Sequence, residues 1–334
     1  MKTILNRLIA HETLSKEEAK QILRQISTEA FSEVQIASFL TVFMMRNITL
    51  EELEGFRAAL LELCYALDLS EFDPIDLCGT GGDSKNTFNI STLAAFVTAG
   101  AGVHVSKHGN YGVSSVSGSS NVLEHLGLKF KQDESFHKRC LEQANICILH
   151  APLFHPAMKS VAPVRKSLAL KTFFNMLGPM VNPSKPQKQL VGVYSLQLLR
   201  LYAYLYQKQH KTYAIVHALD GYDEISLTQS AKVVTHQKDM ILNVEDFGLK
   251  AHRPETIFGG NTVKDAAEIF MNVLNNKATQ EQQNAVCANA ALAISISKNI
   301  ELKPALEEAK ISLKSGVALQ KFKTLINLSN NQNL

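Results

Sequence analysis

The stretch "CGTGGDSKNTFNIST", Cys78–Thr92, follows the short apolar run "PIDL" and precedes the apolar segment "LAAFVTAG". A strand, a polar glycine loop and a helix in that order form one βα unit, and repetition of the unit implies a largely parallel sheet flanked by helices. The loop itself has the chemistry of an anion cradle. Its glycines let backbone N–H groups approach a ligand, and Asn89, Ser91 and Thr92 stand where the next helix begins. Two familiar phosphate signatures fail at the same residue, because both G-x-G-x-x-G and G-x-x-x-x-G-K need glycine at position 84, which is Ser84. A plain tight turn with Ser91 as the helix cap is the competing reading. Asp83 poses a further problem, since an acid repels phosphate.

Three other stretches carry chemistry. "VSKHGNYGVSSVSGSSNVLEHLG", Val105–Gly127, is a second strand, polar loop and helix. There Lys107 can offer a cation at a strand end, and Ser114, Ser115, Ser117 and Ser119 can offer neutral donors. In "HALDGYDEIS" the adjacent acids Asp223 and Glu224 follow a strand and suit a hard cation such as Mg²⁺, which couples carboxylates to substrate phosphates. With such a cation present, Asp83 is tolerated. The fourth stretch, "HPAMKSVAPVRKSLALKTFFNMLGPMVNP", holds Arg165, whose guanidinium can fork onto a carboxylate, and Gly178–Pro179, which can turn closely against an aromatic ring. His155 and His108 read as positional hydrogen-bonders rather than bases.

The whole chain sets bounds. It has 334 residues, 46% hydrophobic against 19% charged, with a net charge of +3 and no dense Lys/Arg run. That balance supports a folded protein of two unequal lobes and disfavours an extended nucleic-acid or membrane footprint. No segment approaches ~18 continuous apolar residues, and "MKTILNRLIAHETL" is too polar for a signal sequence, so a cytoplasmic protein is expected. The five cysteines are scattered without a C-x-x-C pair and read as reduced thiols.

Capping-box pairs Ser15/Glu18, Ser32/Gln35 and Thr49/Glu52 predict three helices before residue 70. After Phe72 the runs "PIDLC", "GVHVS", "NICILHA", "LVGVY" and "TYAIVHAL" predict strands between helices. "EISLT", "KVVTH" and "MILNV" suggest antiparallel pairing. Five prolines between 156 and 186 predict turns and short helices over 152–188, and helices return from Thr262 to about Leu328, with "SNNQNL" as a frayed tail. The expected domains are a helical one, 1–70, completed by part of 155–188, and an α/β one, 71–330.

The four stretches, in this order, resemble the anthranilate phosphoribosyltransferase family over nearly the whole chain. The resemblance implies a small N-terminal α-helical domain plus a larger α/β domain of nucleoside-phosphorylase type. It also implies a homodimer that uses Mg²⁺, with substrates meeting between the lobes and the phosphoribosyl group of phosphoribosyl pyrophosphate (PRPP) passing to the amine of anthranilate in tryptophan biosynthesis. PRPP contacts implied by the family pattern are Gly79, Gly82, Asp83, Thr87, Asn89, Ile90, Ser91, Thr92, Lys107, His108, Gly109, Asn110, Ser114, Ser115 and Ser119. Anthranilate contacts implied in the same way are Gly79, Asn110, His155, Arg165 and Gly178, and the metal positions are Ser91, Asp223 and Glu224. His108 is the one candidate for assisting proton loss. The chain departs from the pattern at Tyr111–Gly112, where many members have arginine and a small residue, and at Ser84. A pyrimidine nucleoside phosphorylase, which uses free phosphate, is the alternative enzyme reading, and a noncatalytic nucleotide-binding relative is the third; the acid pair and Arg165 favour the transferase.

Overall fold

The computed structural model describes residues 1–112 and 117–331. It divides into two compact units, Met1–Leu67 with Ala151–Lys185, and Asp68–His150 with Pro186–Leu334.

The first unit is helical: α1 (Lys2–Ile9), α2 (Lys16–Ser27), α3 (Glu33–Met45) and α4 (Leu50–Leu63), then α8 (Ala151–Phe154), α9 (Ala162–Leu168) and α10 (Phe174–Leu177). All three expected capping boxes form, with Ser15, Ser32 and Thr49 accepting from the N3 backbone of α2, α3 and α4. An aromatic cluster ties the later segment to the bundle. Phe173 stacks on Phe56 at 4.4 Å and meets Phe43 edge-on at 5.2 Å, and Phe39 joins them at 6.2 Å. Such pairs add to the area they bury.

Glu52 exceeds its capping role. It is fully buried, accepts the Leu14 and Thr49 N–H groups at 2.9 Å each, and pairs with the nearly buried Arg46 at 2.5 Å. One carboxylate thus joins the α1–α2 connection, the α3 end and the α4 start.

In the second unit a seven-stranded sheet runs in the order β3-β2-β1-β4-β5-β6-β7, where β1 is Ile75–Gly79, β2 Val105–Gly109, β3 Ile146–His150, β4 Lys188–Gly192, β5 Thr212–Ala218, β6 Ala231–Thr235 and β7 Asp239–Leu242. β3 to β5 are parallel to their neighbours, and β5–β6–β7 are antiparallel. The parallel strands are almost wholly buried, and most read as apolar runs; β2, Val105–Gly109, overlaps only the end of the expected run "GVHVS" and buries the polar Ser106, Lys107 and His108. The helices are α5 (Ile90–Gly100), α6 (Ser119–His125), α7 (Glu134–Ala144), α11 (Leu196–Gln207), α12 (Val263–Leu274), α13 (Gln280–Lys298), α14 (Leu302–Lys314) and α15 (Val317–Asn330).

Two expectations need correction. "EISLT" is no strand: Asn289 on α13 accepts from the Ile225 N–H at 3.0 Å and donates to its carbonyl at 2.9 Å, so a side chain takes the place of a ladder. The tail is ordered further than expected. α15 runs to Asn330, whose amide donates to the Gly127 carbonyl at 2.9 Å, while Ser329 Oγ accepts the Lys129 N–H.

Strand order reverses between β1 and β4, and the crevice beyond their carboxyl ends is where ligands of open α/β sheets bind. The loop after β1 starts there, with the Thr80 N–H on the Gly192 carbonyl at 2.9 Å.

Removing Glu52 strands a buried guanidinium and two N–H groups. Glu52→Ala is therefore expected to cost ~3–5 kcal/mol, the range for breaking one side of a buried pair, and Glu52→Gln, which still accepts hydrogen bonds, distinctly less. Urea unfolding of the two variants checks the order.

Candidate active site

The loop Gly79–Asn89 is shaped by its own residues and by acids that arrive from elsewhere. Gly81 (φ 60°) and Gly82 (φ 76°) take the left-handed turn the loop needs. The Lys85 N–H donates to Asp83 Oδ1 at 3.0 Å, closing a local turn over Ser84, which itself sits at φ 61°. Asp83 thus holds its own loop. Its charge also bears on Asp223.

Asp223 and Glu224 follow β5 and reach back across the switch point. Asp223 Oδ2 accepts the Gly81 N–H at 2.8 Å. Glu224 Oε1 accepts the Ser91 N–H at 3.0 Å, in the first turn of α5, where a carboxylate is favoured by unsatisfied donors and by the helix dipole. Ser91 is therefore not the cap. α5 starts at Ile90 after Asn89, whose side chain makes no capping bond and instead donates to the Ser117 carbonyl at 3.4 Å. The cap comes from a distant loop.

Glycines make room for this. A Cβ on Gly79 would stand 2.6 Å from Asp223 Oδ2, and one on Gly192 would stand 1.4 Å from the Asp223 carbonyl oxygen. The two glycines end β1 and β4, so the switch point is where the acidic loop can dip into the sheet.

The electrostatics concentrate negative charge. Burial pushes the Asp223 carboxyl upward, and Asp83 adds to the effect. Burial likewise raises Glu224 well above the carboxylate range, reinforced by Asp223 and Asp83. Lys107 opposes them from the end region of β2. It is buried, donates to the Leu77 carbonyl and to Ser91 Oγ (3.5 Å), and its ammonium is pulled down by burial while the nearby acids hold it up. Glu224 Oε2 is buried without a hydrogen-bond partner among the described residues. An uncommitted buried carboxylate oxygen beside a second acid fits a hard divalent cation. Among the described residues no group of three or more His, Cys, Asp or Glu side chains could hold a metal, so a cation here would need hydroxyl, water or ligand oxygens as well. The cavity is lined by Leu77, Cys78, Ser91, Asp223, Glu224 and Asn289.

The second loop lies beside the first. The Asn110 carbonyl accepts the Ser120 N–H at 3.2 Å and Ser119 Oγ at 3.3 Å, placing Asn110 over the start of α6. His108 is buried, and its N–H donates to Asp76 Oδ1 at 3.1 Å. Ile90 and Thr92 are also buried, so Ile90 can offer a ligand only backbone. Tyr111 donates its hydroxyl to the Glu124 carboxylate at 3.3 Å, and its ring makes a T-shaped contact with His150 at 4.8 Å. Ser114 and Ser115 lie outside the described residues.

His155, Arg165 and Gly178 belong to the helical unit. Buried His155 has Nε2 at 2.8 Å from the Val181 carbonyl, and burial lowers its pKa to about 4. It holds backbone. Arg165, half-buried, lies 5.4 Å over the Phe174 ring and touches Asn175 Oδ1 at 3.4 Å; no carboxylate pairs with it among the described residues. A Cβ on Gly178 would meet nothing within 4 Å, so the backbone there borders open space.

Sequence reasoning missed Asn289 and the segment Ile257–Gly260, which hydrogen-bond to the site loops from afar, and the role of Asn86, which holds that segment from within the first loop. Asn289 lies in the "ANAALAI" helix, where a lone polar residue in an apolar run was the available signal.

Comparison with known proteins divides the chain once, after the N-terminal bundle, and leaves 151–185 with the second part. Residues 2–64 match the family model described as "Glycosyl transferase family, helical bundle domain", and 71–319 the one described as "Glycosyl transferase family, a/b domain". The anthranilate phosphoribosyltransferase of Christiangramia forsetii is 61% identical over 331 residues, 99% of this chain and 100% of that protein. Among solved structures, the anthranilate phosphoribosyltransferase of Thermus thermophilus superposes with a TM-score of 0.90 at 31% identity, covering 98% of this chain and 99% of that one. The Saccharomyces cerevisiae enzyme in complex with PRPP and Mg gives 0.88 at 28% identity, covering 97% and 96%.

The glycine pair separates two effects. In Gly192→Ala the new methyl collides with backbone, so the loss should reach or exceed the ~3 kcal/mol upper range for overpacking. Gly79→Ala meets only the end of a side chain and should cost less. Chemical denaturation of the two variants measures the difference.

Proposed function

Because the chain belongs to the anthranilate phosphoribosyltransferase family, we propose that it transfers the 5-phosphoribosyl group of PRPP to the amine of anthranilate, releasing pyrophosphate in tryptophan biosynthesis. The observation that carries this reading is the arrangement at the β1/β4 switch point: Asp223 and Glu224, which accept the Gly81 and Ser91 N–H groups, line one cavity with Ser91, and buried Lys107 reaches Ser91 Oγ.

The chemistry asks little of acid–base groups. The aromatic amine is neutral near pH 7, so its nitrogen can form the new bond to the ribose carbon as the bond to pyrophosphate breaks, and the proton the nitrogen then sheds passes to the departing pyrophosphate or to water. Positioning and electrostatics dominate. The Thr87 and Ser91 hydroxyls, with loop N–H groups other than those held by Asp83, Asp223, Glu224, Gly192 and Ile257, hold phosphate oxygens, and Lys107 offsets their charge. Gly109, Asn110 and Ser119 approach from the second loop. Asp223, Glu224 and Ser91 would hold Mg²⁺, which when bound neutralises the pyrophosphate and makes it a better leaving group. Arg165, carrying no competing carboxylate among the described residues, forks onto the anthranilate carboxylate. The same reading has the protein act as a cytoplasmic homodimer. The exposed Ile9, Val34 and Met45 on α1 and α3 support an association surface.

Mixing the protein with anthranilate, PRPP and Mg²⁺ should extinguish anthranilate fluorescence; no loss, together with phosphorolysis of uridine, would replace this reading by a nucleoside phosphorylase. In that assay Arg165→Ala is expected to raise KM for anthranilate by roughly 10-fold or more, the worth of a charge-assisted bond, and to leave KM for PRPP nearly unchanged. Equal effects on both would assign Arg165 elsewhere.

Asp223→Asn combined with Glu224→Gln should shift the Mg²⁺ titration of activity to higher concentration. An unmoved titration removes the metal assignment.

A further inference from the structure

The second half of the loop after β1 is held by a segment far along the chain. Thr87 forms an isolated antiparallel bridge with Phe258. On either side the Phe88 N–H donates to the Ile257 carbonyl at 3.2 Å, the Gly259 N–H donates to the Asn86 carbonyl at 2.7 Å, and Asn86 Nδ2 donates to the Gly260 carbonyl at 2.8 Å.

The holding segment is itself fixed. Ile257 is fully buried, and just beyond Gly260 the carboxylate of Asp265 accepts the Asn261 and Thr262 N–H groups at 2.9 and 3.0 Å while capping α12. α12 in turn presses Phe270 edge-on against Phe96 of α5 at 6.0 Å. The contact is also too close for any side chain at its centre. A Cβ on Gly259 would lie 2.5 Å from the Thr87 carbonyl oxygen and 2.9 Å from the Phe88 nitrogen, both backbone atoms that move only if the loop moves.

The Ile257–Gly260 side of this contact supplies no group to the proposed chemistry, yet it sets the backbone that carries Thr87. Asp83 secures the first half of the loop through Lys85 N–H. Thr87, Asn89 and Ser91 lie in the second half. Resting on the function proposed above, we propose that Ile257–Gly260 is a positioning brace for the phosphoribosyl-donor loop, with Asn86 and Gly259 as the residues that set its distance. It acts on PRPP alone and through backbone placement.

The test compares wild type, Asn86→Ala and Gly259→Ala. Asn86→Ala removes one hydrogen bond and is expected to raise KM for PRPP about five- to tenfold, with kcat and KM for anthranilate within about twofold of wild type. The rise in thermal midpoint produced by PRPP with Mg²⁺, which reads binding without turnover, should shrink in parallel. Gly259→Ala should act in the same direction and more strongly; should it fail to fold, Asn86→Ala alone decides. A wild-type-like KM for PRPP and an undiminished thermal response, or an equal rise in both KM values, overturns the brace while the function stands. A wild-type protein that neither consumes anthranilate nor responds to PRPP overturns both.

Discussion

The α/β unit depends on two buried carboxylates that close the distance between the start and the end of its parallel sheet. Asp223 and Glu224 accept N–H groups from Gly81 and Ser91, 142 and 133 residues earlier in the chain. Hydrogen bonds to charged groups contribute roughly 1.5–3 kcal/mol each, and an acid at a helix start adds to that. Those bonds are possible only because β1 and β4 end in glycine, where any side chain would collide with Asp223. The switch point, the glycines and the acids are one device.

That device has an electrostatic cost. Two buried acids line one cavity with Asp83 near them, and burial raises Asp223 and Glu224 as it lowers Lys107. A site so arranged gains from any ligand that brings a cation between the acids and anionic oxygens toward Lys107 and the loop donors. A magnesium pyrophosphate has both. The opening difficulty with Asp83 is resolved in the same terms, since its carboxylate turns first onto its own loop and then joins the acid cluster. In the helical unit Glu52 plays a comparable organising part with no ligand in view, its charge balanced by Arg46 beneath the Phe43 ring side.

Much of the fold was legible. Capping boxes appeared as three-residue spacings because their bonds are local, and buried parallel strands appeared as apolar runs because both faces are covered. The donor loop, Lys107 and the acid pair were legible as residue types at strand ends. What escaped were the partners. "EISLT" alternates like a strand, but Asn289 holds it as a loop; the competing reading of Ser91 as a helix cap gives way to Glu224, which takes its N–H; and Glu52, legible as a capping partner of Thr49, also holds Leu14 and Arg46. Each case concerns a bond between distant segments, where packing adds to or overrules local propensity.

By itself the sequence determined most of the segments that become helices and strands, that a glycine loop follows the first strand, and which acids and cations are available to a phosphorylated ligand. Those properties follow from neighbours a few positions apart. The tertiary structure alone decided which acid caps α5, which glycines yield space to Asp223, and that Ile257–Gly260 lies against Asn86–Phe88. Bonds of this kind form only once chain closure has brought remote segments within about 3 Å, and no short-range pattern records that distance.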